Sequence, residues 1–148
     1  YGDGQNVRDW LYVDDHCDAV LQVLAHGGRG ETYNVGGNSE LTNLTVLETL
    51  FQSLEEQADL VREHTEYPPD RDYAGLIEFV PDRPGHDRRY AIASGKIQRE
   101  LGWQPRESFR TGLGRTVAWY IRNLAWCKEV LQANYDRQRL GLSRTAQV

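Results

Sequence analysis

Apolar and polar positions along the chain alternate between short extended segments and longer amphipathic segments. Apolar side chains that recur every three or four residues predict helices. In the first helix, Ala19, Val20, Val23 and Leu24 form one stripe, and Gly27 follows as a stop signal. We predict the helices over residues 15–26, 46–58, 94–101, 109–123 and 126–134.

Runs of aromatic and β-branched residues between these helices predict short strands. We expect strands at residues 9–13, 31–35 and 76–80, the last of which leads into a charged turn. This order predicts an α/β fold with few, short strands and a helix-rich C-terminal half. So few strands in 148 residues also indicate that some strand edges pair with sequence outside this chain.

Two segments are too polar to fit either pattern. Residues 59–75 contain Pro68-Pro69 and many charges, so we interpret them as a polar connecting insertion. Residues 135–148 form a polar tail that we expect to be flexible. The length of the chain fits one domain, or one lobe of a larger protein.

Composition argues against several classes of partner and indicates the cellular compartment. A net charge of −5 argues against general binding to nucleic acid or to an anionic membrane surface. No apolar run reaches the roughly 18 residues that a membrane span needs, so we expect neither nucleic acid nor a membrane as partner. Cys17 and Cys127 lack the spacing of a metal site, and we expect buried, free thiols in a reducing cytoplasm. Because the chain starts at Tyr1 and has no methionine, we expect a fragment.

Residues 82–89, Asp-Arg-Pro-Gly-His-Asp-Arg-Arg, concentrate the candidate chemistry. Pro84 fixes its own φ, and Gly85 can take the positive φ that a tight turn needs. Arginine and histidine side chains on a rigid turn present planar groups with several donors, which suit phosphate oxygens. The alternative is a solvated surface loop whose arginines pair with Asp82 and Asp87.

Five motifs in matching order resemble those of a known family. Arg-Asp-Trp and Asp-Arg-Pro-Gly-His-Asp are the specific ones, whereas the helix-Gly-Trp element is shared by many sugar-nucleotide epimerases and dehydratases. The chain resembles the C-terminal portion of the dTDP-glucose 4,6-dehydratases, which belong to the extended short-chain dehydrogenase/reductase superfamily. The motifs lie at residues 8–16, 33–37, 82–92, 100–103 and 116–120.

This resemblance implies a Rossmann-type enzyme of which only one part is present. A missing N-terminal Rossmann domain would bind NAD, and residues 1–148 would be the smaller lobe that binds the nucleotide sugar. In such enzymes NAD oxidises the hexose at C4, water is lost across C5 and C6, and the hydride returns at C6. The full-length protein would be a hydro-lyase, cytoplasmic and homodimeric, that makes a 4-keto-6-deoxy sugar.

The resemblance also implies a set of substrate contacts. Arg8 and Arg83 would face the pyrophosphate, and Asn43 and His86 would contact phosphate or nucleoside. Charge-assisted hydrogen bonds contribute about 1.5–3 kcal/mol each, so two arginines can hold both phosphates. The alternatives are that Arg8 forms a surface pair with Asp9 and that His86 is a solvated turn residue. The full implied set is Tyr1, Arg8, Asn43, Asp82, Arg83, Pro84, Gly85 and His86.

The catalytic parts of the family pattern are missing. There is no glycine-rich NAD loop, and neither Lys96 nor Lys128 follows a tyrosine by four positions. We therefore expect no catalytic residue and no metal site here, and no activity from this chain by itself. Two other readings stay open. They are the substrate lobe of another nucleotide-sugar epimerase, dehydratase or decarboxylase, and a non-catalytic nucleotide-binding module.

Overall fold

The computed structural model describes residues 1–68 and 71–134, so the tail predicted at 135–148 lies outside the described residues. A short 3₁₀ turn occupies Ala74–Leu76. The remaining elements, in chain order, are β1 (Val7–Asp9), α1 (Val13–His26), β2 (Glu40–Thr42), α2 (Asn43–Glu56), α3 (Ala58–His64), α4 (Gly95–Leu101), α5 (Phe109–Arg122) and α6 (Leu124–Asn134).

The helices predicted from apolar periodicity are confirmed to within a few residues at each end. Their ends follow local chemistry. The Ser108 hydroxyl accepts a hydrogen bond from the Thr111 amide at 3.2 Å at the start of α5. At the end of α4, Gly102 has φ 66°, a left-handed conformation that glycine adopts without steric cost. Among the described helices, none is both long enough and apolar enough to cross a membrane.

The strand predictions were largely wrong. The two strands of the described sheet are β1 and β2, which pair antiparallel with Val7 opposite Thr42. Residues 31–35 and 76–80 are not strands in the described structure. A strand needs a neighbour as well as suitable side chains, and aromatic or β-branched runs signal only the second of these. The coarse expectation of few, short strands with a helix-rich C-terminal half is confirmed.

The first core cluster joins α1 to α4. Ala19 and Ile97 are fully buried, and Trp103 is nearly so. The predicted stripe on α1 is split, because Ala19 faces this cluster while Val20 and Leu24 stay 51% and 81% exposed. Apolar periodicity therefore located the helix correctly but not the part of its apolar face that this chain covers.

The second core cluster joins α2, α3 and α5. Val61 of α3 packs with Val117 and Ile121 of α5, and leucines of α2 surround them. The segment 59–75, interpreted above as a connecting insertion, therefore begins with most of α3 and supplies a core residue. The charged residues at positions 59, 62 and 63 lie on the exposed face of α3. Because they dominate this short segment, its apolar periodicity is too weak to predict a helix.

The prediction that both cysteines are buried was wrong for Cys17. Cys17 is exposed and Cys127 is partly buried, and both are free thiols. Cys17 lies on α1 between the exposed residues Val13 and Val20, on the side of the helix that faces away from the core.

Replacement of a core residue tests the α1–α4 cluster. Ile97→Ala should lower the free energy of unfolding by about 2–5 kcal/mol, because it opens a cavity where the side chain is fully buried. Urea denaturation followed by circular dichroism measures the change. Ile92→Ala is the matched control, since Ile92 is 40% exposed and should cost about 1 kcal/mol or less. Equal losses in both variants would contradict the assigned core.

Candidate functional site

Backbone hydrogen bonds join the N-terminal segment to the segment that carries the charged turn. Val7 donates its amide to the Arg88 carbonyl at 2.8 Å, and Tyr90 donates back to the Val7 carbonyl at 3.1 Å. The Gly2 amide makes a third such bond, to the Val80 carbonyl. Gly85 at the tip of the turn has φ 69°, as the Pro-Gly pair predicted. The residues on either side of Val7 are thereby held against a rigid turn.

Arg8 reaches into this turn. Its Nη2 lies 3.0 Å from His86 Nε2 and donates at 3.0 Å to the Asp87 carbonyl. Its Nη1 donates at 2.6 Å to the carbonyl of Val7, and the guanidinium lies 4.4 Å above the ring of Tyr90. Arg8 is partly buried, so contacts on several sides fix the position of its charge.

The alternative pairing of Arg8 with Asp9 is not found. The Asp9 carboxylate instead accepts backbone amides, from Gly37 at 3.0 Å and from Ser39 at 2.8 Å. The hydrogen bonds found for Arg8 in residues 1–68 and 71–134 run to two backbone carbonyls and to the His86 ring, and none runs to a carboxylate. Its positive charge is therefore available to an added anion.

His86 lies between Asp82 and Arg8. Its Nδ1 is 2.7 Å from Asp82 Oδ1, and its side chain is only 9% exposed, which excludes a solvated turn residue. The ring of Tyr1 meets it edge-on, with centroids 6.2 Å apart. The hydrogen bond from His86 is the main cause that holds the pKa of Asp82 below its ordinary value.

Arg83 shares this region with Arg8. The Arg83 amide donates to Asp82 Oδ1 at 2.9 Å, and its side chain is exposed. The hydrogen bond to Asp87 raises the pKa of Tyr90, and the charges of Arg8 and Arg83 both oppose that rise. Arg83 is next in sequence to Asp82, which bonds the same His86 ring that Arg8 contacts.

Asn43, the first residue of α2, lines a cavity beside this cluster. The backbone amide of Asn43 donates to the backbone carbonyl of Asn6 at 3.1 Å, which places the start of α2 next to β1. The cavity measures about 290 Å³, and among its lining residues the sequence pattern singled out only Tyr1 and Asn43 as candidate substrate contacts. Its lining is Tyr1, Gly4, Trp10, Asn43, Leu44, Val46, Leu47, Ile77, Glu78 and Phe79.

A larger cavity of about 560 Å³ lies on the other side of Trp10, which lines both cavities. It is bounded by residues 10–14 and by α5, with Phe109, Trp119 and Tyr120 among its walls. None of the residues predicted to bind substrate lines it. We therefore place the candidate site at the arginine cluster and its adjoining cavity, where charge and polar groups converge.

The predicted site residues thus fall into connected groups. His86 contacts both Arg8 and Asp82, and Arg83 follows Asp82 directly in the chain. Tyr1 touches His86 and also lines the smaller cavity, which connects the cluster to Asn43. Pro84 and Gly85 form the exposed tip of the turn.

The glycines after the predicted strand at 31–35 do not form a dinucleotide cradle. A Cβ atom on Gly37 would lie 1.9 Å from the carbonyl oxygen of Trp10, and one on Gly36 would lie 2.5 Å from Asp9 Oδ2. These glycines allow two backbone segments to pack closely and leave no room for a phosphate. In the described part of the chain no group of three or more His, Cys, Asp or Glu side chains is arranged to hold a metal ion.

A partly buried guanidinium beside a cavity with aromatic walls, on a small helix-rich lobe, defines a candidate nucleotide-binding module. The family model described as GDP-mannose 4,6 dehydratase matches residues 1–116. The chain belongs to this family of nucleotide-sugar dehydratases.

Individual relatives are similar over nearly the whole chain. It is 48% identical over 145 residues to the dTDP-glucose 4,6-dehydratase of Neisseria meningitidis serogroup B, covering 97% of this chain and 39% of that protein. A crystal structure of the Bacillus anthracis dTDP-glucose 4,6-dehydratase in complex with NAD aligns with TM-score 0.70 and 45% identity, over 88% of this chain and 36% of that one.

The dTDP-glucose 4,6-dehydratase of Streptomyces venezuelae, solved with NAD and TYD bound, aligns with TM-score 0.69 and 44% identity, over 85% of this chain and 34% of that one. The chain spans about two fifths of the length of the curated relatives that it matches.

An ion pair between Arg88 and Asp3 joins the N-terminal segment to the segment that follows the charged turn. Arg88 Nη1 and Nη2 donate to the two carboxylate oxygens of Asp3 at 2.7 and 3.0 Å. The hydrogen bonds from Arg88 are the main cause that lowers the pKa of Asp3 from 3.8 to about 2.

This pair predicts a specific titration. Because the folded-state pKa of Asp3 is lowered, the pair contributes stability above pH 3.8, and this is lost as the pH falls toward about 2. NMR titration of the Asp3 carboxyl group should give a midpoint near 2, and Arg88→Gln should return it toward 3.8. Arg62→Gln, on distant α3, should leave the midpoint unchanged. A wild-type midpoint already at 3.8 would show that the pair does not form.

Proposed function

We propose that this chain is the substrate-binding part of an NAD-dependent dTDP-glucose 4,6-dehydratase, which converts dTDP-glucose to dTDP-4-keto-6-deoxy-glucose and water. The observation that carries the proposal is the convergence of Arg8 and the 82–86 turn beside a cavity, in a chain 44–48% identical to dehydratases of this specificity. The proposed role of the chain is recognition of the nucleotide sugar.

In this proposal the arginines bind the diphosphate. A nucleotide-sugar diphosphate carries about two negative charges, and guanidinium groups match phosphate oxygens in geometry and charge. The hydrogen bonds of Arg8 within the described residues use Nη1 and Nη2, and none uses Nε. The Nε–H group can therefore meet an incoming phosphate oxygen. Arg83, whose side chain is exposed, can approach the ligand from the other segment.

The nucleoside is proposed to occupy the smaller cavity. Trp10 and Phe79 offer aromatic surface for a flat base, and Asn43 offers both a donor and an acceptor. Tyr1 contacts His86 and lines this cavity, so it would lie where base and phosphate binding meet.

Two exposed apolar surfaces support a role within a larger enzyme. On α1, Val13, Leu21 and Leu24 are 62%, 62% and 81% exposed, which is costly for a surface that faces only water. The larger cavity adds the exposed aromatic side chains of Trp119 and Tyr120. We assign these surfaces to contact with the part of the enzyme that this chain does not cover.

That remaining part is proposed to bind NAD and to supply the catalytic groups, because this sequence has no glycine-rich dinucleotide loop and no lysine four positions after a tyrosine. The assembled enzyme is proposed to be a homodimer. A cytoplasmic setting is consistent with the free thiols of Cys17 and Cys127.

Binding of dTDP tests the arginine assignment. Arg83→Ala should weaken binding by about 2 kcal/mol, since it removes charge-assisted hydrogen bonds to phosphate. Isothermal titration calorimetry on the protein expressed from its whole open reading frame measures the change. Arg122→Ala, an exposed arginine in the last turn of α5, is the control and should bind like the wild type. Unchanged affinity in Arg83→Ala would remove Arg83 from the site.

Activity tests the enzyme class. The same full-length protein with NAD and dTDP-glucose should form a 4-keto-6-deoxy sugar, detected by the absorbance of the product in alkali or by mass spectrometry. Residues 1–148 expressed alone should form none. Turnover of a UDP-sugar in place of dTDP-glucose would assign the chain to a neighbouring nucleotide-sugar enzyme. Binding of dTDP without any turnover would support a non-catalytic module.

A further inference from the structure

The imidazole of His86 bridges two groups of opposite charge. Nδ1 lies 2.7 Å from Asp82 Oδ1, and Nε2 lies 3.0 Å from Arg8 Nη2. With its side chain only 9% exposed, the ring has little access to water that could replace either partner. The protonation of both ring nitrogens is therefore set by these two neighbours.

The neighbours select one tautomer. A guanidinium only donates hydrogen bonds, so Nε2 must accept from Arg8 with its lone pair. The single ring proton then lies on Nδ1 and is donated to the Asp82 carboxylate. Asn6 Nδ2 lies 3.4 Å from Nδ1 and 3.3 Å from the Asp87 carbonyl, and both contacts are long. Asp82 Oδ1, at 2.7 Å, is the much closer partner of Nδ1.

The other protonation states conflict with the geometry. An imidazolium would direct an N–H group at a guanidinium 3.0 Å away, which sets two donors and two positive charges against each other. The Nε2–H tautomer has the same clash of donors, and it also turns the Nδ1 lone pair toward a carboxylate at 2.7 Å. Only the neutral Nδ1–H form satisfies both contacts.

We propose that Asp82 and His86 are positioning residues for Arg8, which orient its guanidinium for the nucleotide sugar. Asp82 fixes the proton on Nδ1, and His86 then offers Nε2 to hold Nη2 of Arg8, so that the guanidinium is oriented before the ligand arrives. The resemblance to the family implied direct substrate contacts for both residues. In the structure, the His86 ring contacts the Asp82 carboxylate through Nδ1 and the Arg8 guanidinium through Nε2.

The tautomer can be measured without any ligand. Long-range ¹H–¹⁵N spectra of the full-length protein near neutral pH should show His86 protonated at Nδ1 and unprotonated at Nε2, whereas free imidazole side chains favour Nε2–H. His86→Gln identifies the signals by their loss. A protonated Nε2, in either the neutral or the charged ring, would overturn the proposal.

The hold on Arg8 can also be measured without ligand. Slow rotation should keep the side-chain N–H signals of Arg8 resolved in the wild type, and Asp82→Ala should broaden or merge them. Asp3→Ala, which removes a carboxylate near the same turn but has no bond to His86, should leave them resolved. Unchanged Arg8 signals in a folded Asp82→Ala protein would overturn the proposal.

The ligand arm of the test rests on the proposed function and uses dTDP as the probe. Asp82→Ala should lower dTDP affinity about tenfold in the wild type but less than about twofold in an Arg8→Ala background, because Asp82 acts through Arg8. An equal loss in both backgrounds would show that Asp82 does not act through Arg8 and would overturn the proposal. A wild type that does not bind dTDP would instead overturn the proposed function. In that case the two ligand-free NMR measurements would still decide the positioning claim.

Discussion

The site depends on the short backbone pairing between the N-terminal segment and the segment around the charged turn. Three hydrogen bonds, from Gly2, Val7 and Tyr90, join stretches of chain that are separated by about eighty positions. Because Arg8 follows Val7 directly, this pairing places the Arg8 guanidinium against the turn, where it contacts His86 and the Asp87 carbonyl. The geometry of the candidate site is therefore set by the main chain first and by side-chain type second.

The same arrangement explains how an acidic chain can offer an anion site. Other arginines of the described chain are paired with carboxylates, such as Arg88 with Asp3, Arg89 with Glu40 and Arg115 with Glu107. Within the described residues Arg8 has no carboxylate partner, because the nearby carboxylates bond other groups. Asp9 accepts backbone amides, Asp87 accepts the Tyr90 hydroxyl, and Asp82 faces His86. A net charge of −5 is thus compatible with a locally positive site.

Sequence reasoning succeeded where the physical signal is local. Helices such as α5 follow from apolar spacing with a serine at the start, and the positive φ of Gly85 follows from its Pro-Gly turn. It failed where a partner decides the outcome, as for residues 31–35, whose side chains suit a strand that has no neighbour in the described chain. The motifs identified Arg8 and the turn as separate features. Their contact could not be read from residues lying 78 positions apart, and the cavity walls at Glu78 and Phe79 carry no periodic signal at all.

Gly37 illustrates how far the constraints on this site extend. Its backbone packs so closely on the carbonyl of Trp10 that even a methyl group would force the two segments apart. Trp10 is two residues from Arg8, and the Gly37 amide is bonded to the intervening Asp9. A larger residue at position 37 would therefore shift β1 and, with it, the position of Arg8. The absence of a side chain at one inconspicuous glycine is thus a condition for the geometry of the candidate site.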